Sequence, residues 1–303
     1  VRGFLTAELI PQGVAVYATS TWPALKARKA LRVVWDESGV FARSTRRIEE
    51  EYLAKAQTPG MVANAQGDVG AALAAAGTDV VEQTYVFPYL AHAPMEPLDA
   101  VVKVAGDRCW MRFGSQGPTI DQMAVAAALG VPPQNVQIDV LLAGGSFGRR
   151  ATARGDFAVE AALVARAFGP PVPVKLVWTR EDDLTGGFYR PFYVHRMQGS
   201  IGADGVPTAW RHVIVGQSIM AGTPFESAMA KNGIDSTSVE GAARLPYRGG
   251  AFRCDLHTVR EGPPVLWWRS VGHTHTGFAV ETFLDLLLEK AGKDPIDGRL
   301  ALL

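Results

Sequence analysis

The chain has 303 residues, 48% apolar and 20% charged, an ordinary globular composition with length enough for one large or two medium domains. Its 30 basic residues balance 30 acidic ones, so net charge gives no reason to expect nucleic acid or an anionic membrane surface as partner. Two distant cysteines, Cys109 and Cys254, lack CxxC or CxxxxC spacing and read as small buried hydrophobes, not iron–sulfur or zinc ligands, and no apolar run approaches the ~18 residues of a bilayer span.

The chain opens at Val1 with neither an initiator Met nor a signal-peptide core, so its start is expected to be processed or cut. Residues 13–18 (GVAVYA) read as a buried strand. A helix follows, capped by Ser20 or Thr21 with Pro23 in its first turn, and Arg32-Val33-Val34-Trp35 reads as a second strand closing a β-α-β unit. Residues 40–68 are polar with scattered Pro and Gly and predict a connector with a short helix, and the Ala-rich run after Gly67 predicts a helix. From Val80 the pattern becomes strand-like, at 80–86, 100–104 and 109–113.

A helix is predicted at 118–129, between Pro118 and Gly130, and a strand at 137–142. An amphipathic helix at 154–168 precedes a strand at 172–178. Residues 197–215 read as a hairpin turning at Asp204-Gly205, and 276–291 as a helix closed by Gly292, with Pro295 just past it. Hairpins mixed with β-α units predict an α+β (mixed α/β) fold.

The sharpest local feature is Gly144-Gly145-Ser146-Phe147-Gly148-Arg149-Arg150, after a strand and before a helix. Glycines let backbone N–H groups converge on an anion or an electronegative oxygen, and the two arginines offer bidentate phosphate contacts. The GK[ST] ending of a Walker A loop and the G-x-G-x-x-G fingerprint are both missing. A plain tight turn is the bland alternative. A chemical rival is the G-x-S-x-G nucleophile elbow, with Ser146 as nucleophile and Asp182 or Asp255 and His273 or His275 as partners, although no oxyanion segment accompanies it. His273-x-His275 offers two metal ligands without a third. His92, His195, His212 and His257 read as ordinary satisfied histidines, Glu181-Asp182-Asp183 as a cap and Trp267-Trp268 as core.

Four segments in order resemble the xanthine oxidase family, and more closely its isoquinoline 1-oxidoreductase beta subunit branch: His92-Ala93-Pro94-Met95-Glu96-Pro97, Phe113-Gly114-Ser115-Gln116-Gly117-Pro118, Gly144 to Arg150, and Trp267-Trp268-Arg269-Ser270-Val271-Gly272-His273. Trp178 to Asp183 and Tyr189-Arg190-Pro191 also look like that branch. The resemblance implies a molybdopterin-binding domain at 80–303, a connector at 56–79, and at 1–55 the C-terminal part of a small hammerhead-like α/β domain, the second molybdopterin-binding domain lying outside the chain.

By that resemblance, the activity is water-derived hydroxylation of an N-heterocycle or aldehyde at molybdenum held by molybdopterin, in its cytosine dinucleotide form. The protein gives the metal no direct ligand. Gln116 should hydrogen-bond an oxo group on the metal, and the Phe147-Gly148 backbone should point N–H groups at the metal's oxygens and the pterin. Gly144, Gly145, Ser146, Arg149 and Arg150 complete that loop. Arg269 should stabilise negative charge on the substrate oxygen, with Ser270, Val271 and Gly272 along the pterin or pocket wall. Glu96 matches a family glutamate near the pocket.

Electrons should pass to a separate small subunit with two [2Fe–2S] clusters, and the remaining half of the large subunit is a second partner. Branch members are often exported folded, which makes the periplasm the location the resemblance suggests. Two departures stand out. Ala151 occupies the position of the purine-orienting Glu, with Arg149 and Arg150 in place of Gly-Lys. The family's general-base glutamate falls after Leu303, so the chain alone is expected to be inactive and the cofactor absent from it. The serine hydrolase and a cofactor-free scaffold remain the alternatives.

Overall fold

A computed structural model describes all 303 residues, Val1–Leu303. It divides into two compact units: Val1–Val40 with Ala91–Gly187, and Phe41–Leu90 with Phe188–Leu303.

The first unit is built on a four-stranded sheet in the order Val136–Val140, Arg108–Phe113, Asp99–Ala105, Val174–Val177. The first two strands run parallel, joined by the helix Pro118–Leu129, and the other neighbours are antiparallel. Pro118 starts that helix and Gly130 ends it in the left-handed region, as a residue without Cβ permits. Its Val125 and Ala126 join the small-residue face of helix Asp156–Phe168 (Ala158, Ala161, Ala162, Ala165) over Val102, Met111 and Cys109. Alanines on that face let helix and sheet approach closely.

A hairpin, Phe4–Ile10 with Gly13–Ala18, and the helix Thr21–Ala30 complete the unit. Tyr17 anchors the hairpin: its hydroxyl donates to the Val164 carbonyl at 2.7 Å and its ring stacks on Phe168. The predicted β-α-β unit is therefore corrected to β-β-α. Arg32 to Trp35 forms no strand, and Val34 is 97% exposed, because β-propensity needs a ladder partner and none pairs there.

The second unit holds a five-stranded sheet in the order Met61–Gln66, Ala251–Val259, Pro207–Gln217, Tyr193–Ile201, Val81–Phe87. The hairpin turning near Gly205 supplies two of its central strands. Helix His273–Lys290 lays Ala279, Phe283, Leu284 and Leu287 against one face, over Met197, Trp210, Ile214 and Cys254. Helices Thr45–Lys55 and Val69–Ala76 pack on this sheet, and Pro295–Leu302 follows at the end, capped by Asp294. Both cysteines are free and buried, one in each unit's core.

Candidate functional site

The parallel pairing of Arg108–Phe113 with Val136–Val140 explains how two distant motifs meet. Phe113 stands opposite Val140, so both strands release their loops at the same edge. The Gly114 to Gly117 turn and the Ala143 to Arg150 loop then run side by side. A Cβ on Gly114 would lie 2.8 Å from the Cβ of Ala143, so only glycine permits this approach. The Gln116 amide nitrogen donates to the Arg150 carbonyl at 3.0 Å, and Gln116 Oε1 accepts from Gly148 N (3.2 Å) and Arg150 N (3.3 Å). Gln116 is thus joined to the glycine loop, with its carbonyl end spent on the loop and its NH2 end free to donate outward.

Within the loop Gly145, Phe147 and Gly148 all have positive φ (105°, 54° and 106°). A phenylalanine there is a costly conformation. The amides of Gly145, Ser146 and Phe147 donate to no group of the chain, whereas Gly144 N donates to Glu96 Oε2 at 2.8 Å. Three successive unspent N–H groups at a left-handed bend suit an electronegative oxygen. The Phe147 N–H expected to face the cofactor is among these unspent donors. The Gly148 expectation is corrected, because its N–H is given to Gln116.

Arg149 and Arg150 are also corrected. Neither reaches outward for phosphate. Arg149 is 2% exposed, forms a bidentate pair with Asp156 (3.2 and 2.8 Å) and lies over the Trp178 ring. Arg150 threads inward to Glu96 Oε1 (2.6 Å), the Glu96 carbonyl and the Gly145 carbonyl. A buried guanidinium needs these partners, and satisfying them is what holds the loop. Glu96 is the other half of the clamp: its backbone N–H donates to the Gly144 carbonyl, and Gly144 has no room for a Cβ against it. Arg180 fixes the same segment through the Met95 carbonyl at 3.1 Å and its ion pair with Asp183.

The motif from Trp267 to His273 belongs to the second unit. It leads into helix His273–Lys290 through Ser270 and Val271 at φ 75° and 48°. Val271 is β-branched, so this bend is strained and must be held from outside. Glu240 does so: its Oε2 accepts from Gly272 N at 2.9 Å, and its carbonyl accepts from Thr276 Oγ1 at 2.6 Å. Gly272 is buried, and a Cβ there would sit 2.2 Å from the Thr237 carbonyl oxygen. Its amide is therefore spent on protein. Arg269 is exposed and forms no ion pair. Sequence reasoning missed Glu240, since an isolated Glu carries no signal of which loop it will meet.

Three of the four partners drafted for Ser146 as a nucleophile are committed elsewhere. Asp182 closes a capping box with Thr179 and pairs with Arg28. Asp255 holds Arg253. His275 Nδ1 is hydrogen-bonded to His195 Nε2 at 2.9 Å, and His195 Nδ1 to His212 Nε2 at 2.8 Å. These histidines form a buried chain, which joins His195 and His212, two histidines that the sequence marks only as ordinary satisfied ones, to His275 of the His273-x-His275 pair. Burial lowers all three pKa values, His212 to about 3 and the other two well below the usual range; mutual repulsion adds to the shift of His195, and Arg190 to that of His275. No group of three or more His, Cys, Asp or Glu could itself hold a metal ion.

Residues 53–302 match the family model of the molybdopterin cofactor-binding domain. The chain is 30% identical to a membrane-bound aldehyde dehydrogenase of Gluconacetobacter polyoxogenes, named for pyrroloquinoline quinone, over 98% of this chain and 39% of that one. It is 32% identical to isoquinoline 1-oxidoreductase subunit beta of Brevundimonas diminuta, over 69% of this chain and 26% of that one. The fold matches quinoline 2-oxidoreductase from Pseudomonas putida 86 with a TM-score of 0.69 at 20% identity, over 94% of this chain and 36% of that one. The aldehyde oxidoreductase of Desulfovibrio gigas matches with a TM-score of 0.62 at 23% identity, covering 80% and 26%. The chain thus spans between a quarter and two fifths of the length of these relatives. With four motifs in order, a shared mixed α/β fold and a family match over most of its length, the chain belongs to the molybdopterin cofactor-binding domain family of the molybdenum hydroxylases.

Proposed function

We propose that this chain supplies the glycine-loop domain of a molybdenum hydroxylase large subunit that oxidises an N-heterocycle or an aldehyde. The observation that carries this reading is the set of three unspent amides at Gly145, Ser146 and Phe147, held beside the free NH2 end of Gln116. These donors fit a cofactor rich in electronegative oxygens. When bound, molybdopterin with molybdenum, in the cytosine dinucleotide form, supplies the two-electron acceptor for water-derived hydroxylation.

The chain's own contribution is electrostatic and positional. Donors already locked by the Glu96–Arg150 pair need no reorganisation during reaction, which is where such groups gain their effect. Arg269, with an exposed guanidinium and no ion pair, has the proposed role of stabilising negative charge on a substrate oxygen. Ser270 and Val271 fix the backbone from which it projects. Electrons leave to a small subunit with [2Fe–2S] clusters, and turnover requires the rest of the large subunit, including a general base that no motif assigns in this chain. We also propose residues 1–55 as part of a hammerhead-like domain by ancestry, a division separate from the compact units.

The test is co-expression of the whole large subunit with its small subunit, followed by metal analysis and assay with quinoline and benzaldehyde in H2-18O. Molybdenum near one per protein and label in the product are expected, both lowered by Gln116→Ala. Hydroxylation without molybdenum overturns the reading.

A further inference from the structure

We propose that the second unit carries a separate binding site for a phosphate monoester, in the cleft where helix Val69–Ala76 meets the sheet. This inference stands apart from the glycine loop and does not rest on the functional reading above.

The cleft is a cavity of about 520 Å³ lined by Arg196, Arg211 and Arg253 and by the first turn of the helix. Its arginines come from three adjacent strands. Arg211 stands directly opposite Arg253, and Arg196 opposite Val213, which is two residues along from Arg211. Side chains alternate across a sheet, so all three point to one face, away from the core that holds Met197 and Ile214. Two like charges in direct register repel unless something negative lies between them.

Two of the three guanidiniums have carboxylate partners. Arg196 holds Glu82 at 2.7 Å, and Arg253 Nε contacts both oxygens of Asp255 at 3.0 and 2.9 Å. Arg211 has none: its one hydrogen bond is to Gln198 Oε1 at 3.3 Å. A Cβ on Gly70 would lie 3.8 Å from Arg211 Nη2 and 3.2 Å from Asp68 Oδ1, which places the guanidinium at the first turn of the helix, near the carboxylate that caps it. Asp68 lines the cleft too, yet its carboxylate is turned to the Ala71 amide at 2.9 Å and makes no ion pair. Three guanidiniums on one face, with the fork of Arg211 in no ion pair, favour phosphate, whose tetrahedral oxygens take several such donors at once. The volume lies within the range of small-molecule sites and exceeds what phosphate alone fills, so an organic body accompanies it.

Calorimetric titration of the 303-residue chain with inorganic phosphate and with phenyl phosphate, at fixed ionic strength, tests this. Saturable binding is expected, tighter for phenyl phosphate. Arg211→Gln should weaken it at least tenfold. Gly70→Glu, which sets a carboxylate beside Arg211, should abolish it while the fold is retained by circular dichroism. Absence of saturable binding, equal heat from chloride, or binding unchanged in Gly70→Glu overturns the proposal.

Discussion

Acidification should unfold the second unit through its histidine chain. His195 and His212 are fully buried and His275 nearly so, Tyr193 stacks on His275 at 3.7 Å, and His212 Nδ1 has no partner. Three neutral rings share two internal hydrogen bonds, so one N–H is left at an end. A bare nitrogen is the cheaper orphan, which sets the chain donating from His212 through His195 to His275. The sign of the pH effect follows from the depressed pKa values. Below about 6.5 the unfolded chain takes up protons that the folded one refuses, so stability falls as pH falls and is flat above that point. At pH 5.5 each ring costs about 1.4 kcal/mol, and the three together about 4 kcal/mol, against roughly 0.2 kcal/mol at pH 7.5. Against a typical domain stability of roughly 5–15 kcal/mol the loss is large. Hydrogen exchange measured by mass spectrometry under mild urea, on peptides from 193–217 and 273–290, reads it directly. His212→Leu should remove about a third of the dependence. Exchange free energies that stay within about 1 kcal/mol between pH 7.5 and 5.5 would refute the reasoning.

The first unit should respond with the opposite sign. Burial raises Asp121 to about 6 and Glu160 to about 7, so the folded unit holds protons that the unfolded chain has lost, and peptides from 99–177 should gain protection as pH falls from 8 to 5. Glu96→Ala should cost roughly 3 kcal/mol by stranding buried Arg150, with the loss of protection concentrated at 143–150 in the same exchange experiment. Gly145→Ala should cost roughly 1–2 kcal/mol, since φ is 105° and the new Cβ would meet Pro94 at 3.3 Å; a urea midpoint equal to that of the parent would contradict it. Glu240→Ala should cost about 1.5 kcal/mol and loosen 268–273, seen as faster exchange there.

Much of the local structure was legible from punctuation. Pro118 and Gly130 bracket their helix, Asp204-Gly205 turns its hairpin, and alternating or apolar runs mark the strands near 81–87, 99–105 and 108–113. The glycine loop was legible as an amide-rich bend. Strand Ala251–Val259 escaped notice because Arg253 and Asp255 interrupt its apolar run, and their pairing is visible only in three dimensions. Helix Pro295–Leu302 escaped because Pro295 was read as a stop, when Asp294 before it makes it a start. Strand Phe4–Ile10 escaped too, while Arg32 to Trp35 had the composition of a strand and lacked a neighbour.

Sequence by itself determined the family, the mixed α/β class and the segments that matter, because residue type and spacing limit what a backbone can do locally. Only the tertiary structure decided where each polar group spends its hydrogen bonds. Arg149 and Arg150 turned inward to Asp156 and Glu96, Gly148 gave its amide to Gln116, and Glu240 came to hold the bend at Val271. The physical reason is that burial drives most donors and acceptors to find a partner, and the partner is chosen by strand register and helix packing between residues far apart in the chain.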